Sequence, residues 1–165
     1  MNKSLAVFCA VVAFAAPASS WANEQSDAVL GCFQEIGTST EWNTCMAILF
    51  QPCAEFELAS EEVRSCLQQE RDNWRATKID IEAEVFESLT NKGIQELADV
   101  MLAWPKFVDD KCKAMAEGRT GESTGVAFDA TRLGCQVSEY ALITSELTAC
   151  NEGRSKEEYC QRKGE

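Results

Sequence analysis

Cysteine is the residue type with the clearest chemical potential in this sequence, and histidine is missing from it. The chain of 165 residues contains 9 cysteines and no histidine. Cys9 lies in an apolar N-terminal run, so the other cysteines form an even set, which predicts about four disulfides rather than free thiols. Those cysteines are Cys32, Cys45, Cys53, Cys66, Cys112, Cys135, Cys150 and Cys160.

The composition excludes several kinds of active site. Without histidine the chain has no histidine general base, no Ser-His or Cys-His nucleophile system and no histidine metal ligand. Carboxylates are plentiful, but no acidic pair has a recognisable catalytic or EF-hand context, and we interpret Asp109-Asp110 as a solvated helix face or a helix-terminal contact. We therefore predict a protein that is not an enzyme and that needs neither a metal nor another cofactor.

The N-terminus has the features of a secretory leader. Lys3 provides a positive start, residues 5–15 form an apolar run, and small residues precede a cleavage site that we place after Ala22. We predict a signal peptide over residues 1–22 and one disulfide-rich domain over residues 23–165. The run is too short to span a bilayer, so no membrane anchor is expected after cleavage. A periplasmic or secreted location, where disulfides persist, follows from these features.

Charge restricts the kind of partner. The formal net charge is −12 at pH 7, and removal of the leader takes away one further cation, Lys3. Such a surface attracts basic proteins and repels nucleic acids and anionic lipids, so we expect no nucleic-acid partner. Acidic surfaces also keep many exported proteins soluble, and charge alone therefore does not identify the partner.

The spacing of apolar residues predicts long helices. Ser60 is a suitable N-cap for a helix that reaches about residue 89, and residues 91–93 resemble a stop signal. A second apolar series begins at Ile94, and Pro105 is expected to kink that helix. A third series runs from Leu133 to residue 147.

Shorter helices are predicted over residues 27–36, 41–49 and 155–162. The last of these begins with Ser155 and has Glu158 three positions later, which is a capping-box arrangement. No segment alternates convincingly with a period of two. The predicted fold is therefore an all-α small bundle of helical hairpins stapled by disulfides.

The cysteine positions are compatible with more than one pairing. Cys32 and Cys45 flank a break at residues 37–40, and pairing each cysteine with its nearest neighbour is the simplest arrangement. The alternative joins Cys45 to Cys53 and Cys32 to Cys66 as a nested hairpin. We favour the nearest-neighbour pairs because of the break, and the sequence leaves both arrangements open.

Two ordered stretches have a recognisable pattern. The first, residues 32–47, contains Thr40, Glu41 and Asn43 before Cys45, and the second runs from Trp104 to Cys112. With the Gly-rich loop and Cys135 that follow, these stretches resemble, in the same order, the lysozyme inhibitor LprI family. Together they cover about half of the domain, while residues 51–70 and the tail after Cys150 lie outside the resemblance. The matching residues are Thr40, Glu41, Asn43, Trp104, Phe107, Asp109 and Cys112.

The resemblance implies binding and inhibition of lysozyme, and a basic lysozyme is the partner that it predicts for an acidic chain. A rigid loop with hydrogen-bond donors could occupy a cleft that holds two catalytic carboxylates. We take residues 118–125 as the candidate inhibitory loop, although glycine-rich loops between helices are often only connections. Its candidate residues are Arg119, Thr120, Glu122, Ser123 and Thr124.

Two departures from the family pattern favour a second interpretation. Val108 and Ile143 stand where the family has arginine. If these positions face each other, a hydrophobic contact has replaced a polar one. The alternative function is a non-catalytic envelope binding or structural module of the same fold that has no lysozyme target.

The aromatic residues are assigned from their positions on the helices. Trp74, Trp104, Phe107 and Tyr140 fall on apolar faces, so we predict them in the core. Trp42 and Phe50 lie in the less regular N-terminal part and are the better candidates for exposed anchors.

Overall fold

The structure is a computed structural model that describes residues 19–164. The signal peptide predicted over residues 1–22 therefore lies almost wholly outside the described residues. Its last positions, from Ser19, belong to the first helix. Within the described part of the chain, no helix is long and apolar enough to cross a membrane.

Residues 19–164 form an all-α bundle, and this confirms the predicted fold class. Five α-helices follow one another: α1 (Ser19–Gln34), α2 (Ser39–Phe50), α3 (Glu61–Ser88), α4 (Asn91–Thr120) and α5 (Val126–Asn151). Two short 3₁₀ helices occupy Gln51–Cys53 and Glu158–Cys160. The described backbone contains no strand, only an isolated antiparallel bridge between Leu89 and Arg162.

Helix α5 carries both main parts of the hydrophobic core and packs against α1, α3 and α4. Leu133 and Val137, in its first half, lie in a cluster that also contains buried residues of α1, α2 and α3. Leu147, in its second half, lies in a cluster formed with α3, α4 and the C-terminal tail. The other elements are therefore positioned by their contacts along one central helix.

Helix α3 follows the sequence prediction closely. The Ser60 side chain accepts a hydrogen bond of 3.1 Å from the Val63 N–H, and Glu61 and Glu62 occupy the first turn. An acceptor at the N-cap and carboxylates in the first turn both stabilise a helix start. The buried face of α3 includes Trp74, which is 3% exposed.

The start of α4 corrects the predicted stop signal at residues 91–93. Thr90 caps α4 by accepting a hydrogen bond of 3.2 Å from the Gly93 N–H, so these residues form the first turn of a new helix. Gly93 has a tertiary role instead. A Cβ at this position would lie 2.8 Å from the Tyr159 carbonyl oxygen and 3.1 Å from that of Gln161. The absence of a side chain allows the tail to pack against the helix.

The end of α4 differs from the predicted loop over residues 118–125. The helix continues through Pro105 and extends to Thr120, and Gly121 ends it with a φ of 70°. A left-handed residue after the last helical turn is the usual role of glycine at this position. Only residues 121–125 connect α4 to α5.

Four disulfides hold the helices together, and their pairing is the nearest-neighbour arrangement that the sequence favoured. Their Cα–Cα separations are 5.5, 5.8, 5.4 and 5.3 Å. In the chain-entropy account each contributes about 3 kcal/mol. The pairs are Cys32–Cys45, Cys53–Cys66, Cys112–Cys135 and Cys150–Cys160.

The predicted helix over residues 155–162 is wrong. Apart from the 3₁₀ turn Glu158–Cys160, this tail is not helical, and it returns along the α3–α4 junction. The Thr90 N–H donates to the Gln161 carbonyl at 2.8 Å, and the Lys163 N–H donates to the Ser88 carbonyl at 3.0 Å. Hydrogen bonds to another part of the chain therefore replace those of a local helix.

The core contains most of the aromatic residues that were predicted there, but Phe107 is a correction. Trp104 and Tyr140 are half-buried and meet edge to face at 5.0 Å between ring centroids. Phe107 is 58% exposed because it lies on the outer face of α4. Within the described residues, no neighbouring helix covers the Phe107 ring on this face.

Val108 and Ile143 belong to different parts of the core. Val108 clusters with Cys112 and Cys135, whereas Ile143 packs against the cluster around Leu147. Each apolar side chain therefore packs in its own cluster.

Candidate functional site

The described cysteines are all oxidised, so residues 19–164 offer no free thiol. The same part of the chain contains no group of three or more Cys, Asp or Glu side chains that could hold a metal ion. Two neighbouring surface features could bind another molecule without covalent chemistry. One is the loop over residues 121–125, called the α4–α5 loop, and the other is a groove beside it.

The α4–α5 loop is a short exposed turn with a defined conformation. Gly121 and Gly125 have φ values of 70° and 105°, which side-chain-bearing residues rarely adopt. The Thr120 hydroxyl donates to the Ala116 carbonyl at 2.8 Å and accepts a hydrogen bond of 3.2 Å from the Glu122 N–H. Backbone geometry and one side chain thus order the loop.

The structure divides the predicted inhibitory residues into two groups. Arg119 and Thr120 lie in the last turn of α4, and the Thr120 hydroxyl is already used within the loop. Glu122, Ser123 and Thr124 are exposed in the loop. The hydroxyls of Ser123 and Thr124 are thus its candidate donors.

The Cys112–Cys135 disulfide joins α4 to α5, but it does so below the loop. Eight residues separate Cys112 from Thr120, which corresponds to about 12 Å along the helix axis. The disulfide therefore fixes the helices that present the loop, while the glycines and Thr120 determine the conformation of the loop itself.

The first family-like stretch has a structural role in α2. The Glu41 carboxylate accepts hydrogen bonds from the N–H groups of Gly37 at 2.7 Å and Thr38 at 2.8 Å, and Thr38 completes the capping box. The bond from Gly37, followed by those from Thr38, lowers the pKa of the Glu41 carboxyl. Thr40 and Asn43 are exposed nearby.

The second family-like stretch joins α4 to α5. Asp109 accepts hydrogen bonds from the Gln136 amide at 3.1 Å and from the Arg132 guanidinium at 3.4 Å. Trp104 contacts Tyr140 and Cys112 bonds to Cys135, so these motif residues position the two helices. The motif residues therefore account for helix packing and do not converge on one binding site.

A groove that the sequence analysis missed lies between α2 and α4, with α5 as its floor. We call it the α2–α4 groove, and its volume is about 420 Å³. Its α2 wall contains both aromatic residues that were predicted as exposed anchors, and these are half-buried. The lining residues are Trp42, Met46 and Phe50 from α2, Lys111, Met115 and Arg119 from α4, and Ala130, Thr131, Gly134, Cys135, Ser138, Glu139 and Leu142 from α5.

The groove is mostly apolar and has a cation at each end of its α4 wall. Lys111 pairs with Glu139 at 2.8 Å, so its charge is largely compensated. Arg119 is exposed and makes no ion pair within residues 19–164. The lining therefore carries one net positive charge, although the chain as a whole is acidic.

The chain matches no family model, no curated protein and no solved structure. Its resemblance to the lysozyme inhibitor LprI family therefore stays a prediction from the two motifs. The features of the molecule that bear on its function are the charge, the disulfides, the loop and the groove.

A sequence signal for the groove does exist. Each wall has its lining residues four positions apart, as in Trp42, Met46 and Phe50, and a spacing of four places side chains on one helix face. The floor repeats this spacing at Ala130, Gly134 and Ser138. Small residues on α5 opposite large residues on α2 and α4 indicate a depression. This inference requires knowing that the three helix faces meet in space.

Proposed function

We propose that this protein is an exported binding protein that docks on lysozyme and inhibits it. The observation that carries the proposal is the exposed α4–α5 loop, whose turn Gly121 and Gly125 permit through positive φ and whose start is braced by the hydrogen bond from the Glu122 N–H to the Thr120 hydroxyl. Bracing of a binding segment before contact reduces the conformational entropy that it loses on binding. Ser123 and Thr124 in this loop offer hydroxyl donors to the carboxylates of a glycosidase cleft.

Charge supports the choice of partner. The chain has a formal net charge of −12, and animal c-type lysozymes are strongly basic. Opposite net charges accelerate the encounter of two proteins and orient them before contact. The expected target is therefore a basic lysozyme.

The disulfides support the place of action. Four of them in a chain of this size are typical of an oxidising compartment outside the cytosol. Together with the predicted leader they favour the periplasm or the extracellular space. Lysozyme acts on the cell wall in these compartments, so the protein and its proposed target would meet there.

A cell-wall lysis assay tests the proposal directly. The oxidised mature protein is added to c-, g- and i-type lysozymes, and an unrelated acidic protein of similar net charge serves as the control. Dose-dependent inhibition of at least one lysozyme beyond this control is expected. The proposal would be contradicted if, with every lysozyme type, the protein inhibited lysis no more than the acidic control protein does.

The role of the loop is tested with a pair of matched variants. Ser123→Ala combined with Thr124→Ala removes both exposed hydroxyls, and inhibition is expected to weaken by about tenfold or more, because hydrogen bonds to charged groups are lost. Ser39→Ala combined with Ser65→Ala removes two exposed hydroxyls elsewhere and should leave inhibition unchanged. Equal inhibition by both double variants would exclude docking through this loop.

A non-catalytic envelope binding module without a lysozyme target is the second candidate function. Val108 and Ile143 favour it, because both positions carry arginine in the family and here pack separately in the core. Loss of two charged positions is compatible with the same fold and a different partner. The lysis assay separates the two functions, since this module would inhibit none of the lysozymes.

A further inference from the structure

The α2–α4 groove has the size and lining of a small-molecule site. A volume of about 420 Å³ falls in the usual range for such pockets. Trp42, Phe50 and Met115 supply large apolar surfaces on the two walls, and methionine adapts well to flexible aliphatic ligands. The groove is partly open to solvent, so a ligand can enter without movement of a helix.

The floor of the groove is shaped by small residues of α5. A Cβ added to Gly134 would lie 3.9 Å from the Phe50 ring, which is an ordinary van der Waals distance, so the aromatic wall approaches the floor closely at this position. The hydroxyls of Thr131 and Ser138 donate to carbonyls of their own helix at 2.8 and 3.0 Å. The floor therefore presents to a ligand mainly carbon atoms and hydroxyl groups whose protons are already used in hydrogen bonds.

The charges in the groove place the polar end of a ligand. Lys111 is compensated by Glu139 at 2.8 Å, whereas Arg119 has no ionic partner within the described residues. Arginine binds carboxylates through a planar fork of donors, which makes it the stronger site for an anion. A ligand with one anionic group would direct that group to the Arg119 end.

We propose that the α2–α4 groove binds an amphipathic anion of the fatty-acid class. The aliphatic chain lies on the α5 floor between the apolar walls, and the carboxylate pairs with Arg119. This inference goes beyond lysozyme binding, for which the proposed donors are Ser123 and Thr124 in the loop. Arg119, one of the candidates for the inhibitory loop in the sequence analysis, lies instead in the last turn of α4 and lines the groove.

Calorimetric titration of the oxidised mature protein with sodium dodecanoate, below its micellar concentration, tests the inference. Dodecanoate is expected to bind one site per chain. Dodecanol, which lacks the charge, is expected to bind about tenfold more weakly, and acetate, which lacks the chain, should give no detectable binding. Absence of dodecanoate binding, or equal binding of dodecanol, would overturn the proposal.

Variants locate the site. Arg119→Gln is expected to weaken dodecanoate binding by about tenfold and to leave dodecanol unaffected. Lys113→Gln makes the same change of charge on an exposed position of α4 outside the groove, and it should change neither ligand. Equal loss of dodecanoate binding in both variants would indicate a general charge effect and contradict the assignment.

Filling the groove provides a second test that does not depend on charge. Ser138→Leu places a large side chain on the floor and should abolish binding of both ligands, with circular dichroism used to verify the fold. Gly134→Leu has the same purpose if Ser138→Leu fails to fold. Unchanged dodecanoate binding in a folded variant of either kind would exclude the groove. Lysis inhibition by these variants is expected to persist, so the two proposals can fail separately.

Discussion

At the scale of single residues, two glycines of α4 differ in whether the surrounding structure leaves room for a side chain. Gly93 is buried against the C-terminal tail, where an added Cβ would meet backbone oxygens at 2.8 and 3.1 Å. Gly118 is exposed, and an added Cβ there would meet nothing within 4 Å. Only the first position needs glycine for packing.

Alanine substitution at these positions should therefore have opposite effects. Gly93→Ala is expected to lower the free energy of unfolding by about 1–2 kcal/mol, because the tail must move away from the new methyl group. Gly118→Ala should raise it by up to about 1 kcal/mol through helix propensity. Urea denaturation of the oxidised proteins measures both, and destabilisation by Gly118→Ala alone would contradict the packing argument.

Lys78 illustrates the effect of burial on an ion pair. This residue is only 8% exposed, it pairs with Glu82, and its ammonium lies 6.0 Å from the centre of the Trp104 ring. The pair formed by Lys106 and Asp110 has the same four-residue spacing, but its side chains are 81% and 64% exposed. Solvent screens the second pair far more than the first.

Removal of the acidic partner should distinguish the two pairs. Glu82→Gln leaves a buried ammonium without its counter-charge and is expected to cost about 3 kcal/mol of unfolding free energy. Asp110→Asn should have a far smaller effect, because solvent already screens that pair. The measurement is again urea denaturation, at low and at high salt, and similar values for the two variants would show that the burial of Lys78 has little energetic effect.

At the scale of helices, the sequence predicted best where the signal was local. The N-cap Ser60 and the apolar period of α3 are contained within the helix itself, and they gave its start and buried face. The assignment of residues 91–93 failed because Gly93 resembles a helix end and is present for a tertiary reason. The tail failed similarly, since its partners at Ser88 and Thr90 are distant in sequence.

At the scale of helices, the N-terminal cap of α2 makes the stability of the protein depend on pH. Hydrogen bonds from Gly37 and Thr38 lower the pKa of Glu41 in the folded protein. Its contribution to stability is therefore present at pH values above the unfolded pKa and is lost as the pH falls through the folded pKa. Glu41→Gln keeps the shape of the side chain and removes the charge.

Thermal unfolding between about pH 7 and about pH 2 tests this cap. The midpoint of the wild type should exceed that of Glu41→Gln at neutral pH, and the difference should shrink in acid once the carboxyl is protonated. Glu35→Gln, an exposed change just before the cap, is the control. A difference that stays constant down to the lowest pH would show that the charge of Glu41 does not strengthen the cap.

At the scale of the whole molecule, the fold class was predictable, and the sequence favoured the observed disulfide pairs without excluding the nested alternative, whereas the groove was not predictable. The cysteines lie on either side of breaks between helices, so local pairing and hairpins follow from one pattern. The groove exists because faces of α2, α4 and α5 meet in space. No single stretch of sequence contains that information, even though each face shows a spacing of four.

Net charge makes a prediction for the proposed lysozyme complex. The association rate constant should fall by about tenfold as NaCl rises from about 20 to about 300 mM, since screening weakens long-range attraction. The dissociation rate constant should change much less. Stopped-flow measurements provide both rates. An association rate that does not respond to salt would exclude steering by the acidic surface.

Each of the four disulfides joins a cysteine to the next one along the described chain, with sequence separations of 13, 13, 23 and 10 residues. If the chain is exported as we propose, it emerges from its N-terminus, and the first cysteine of each pair meets its native partner before any later cysteine of this set appears. An oxidant that joins cysteines in their order of arrival would therefore form all four native bonds directly. Maturation after export can then proceed from the N-terminus to the C-terminus without disulfide reshuffling.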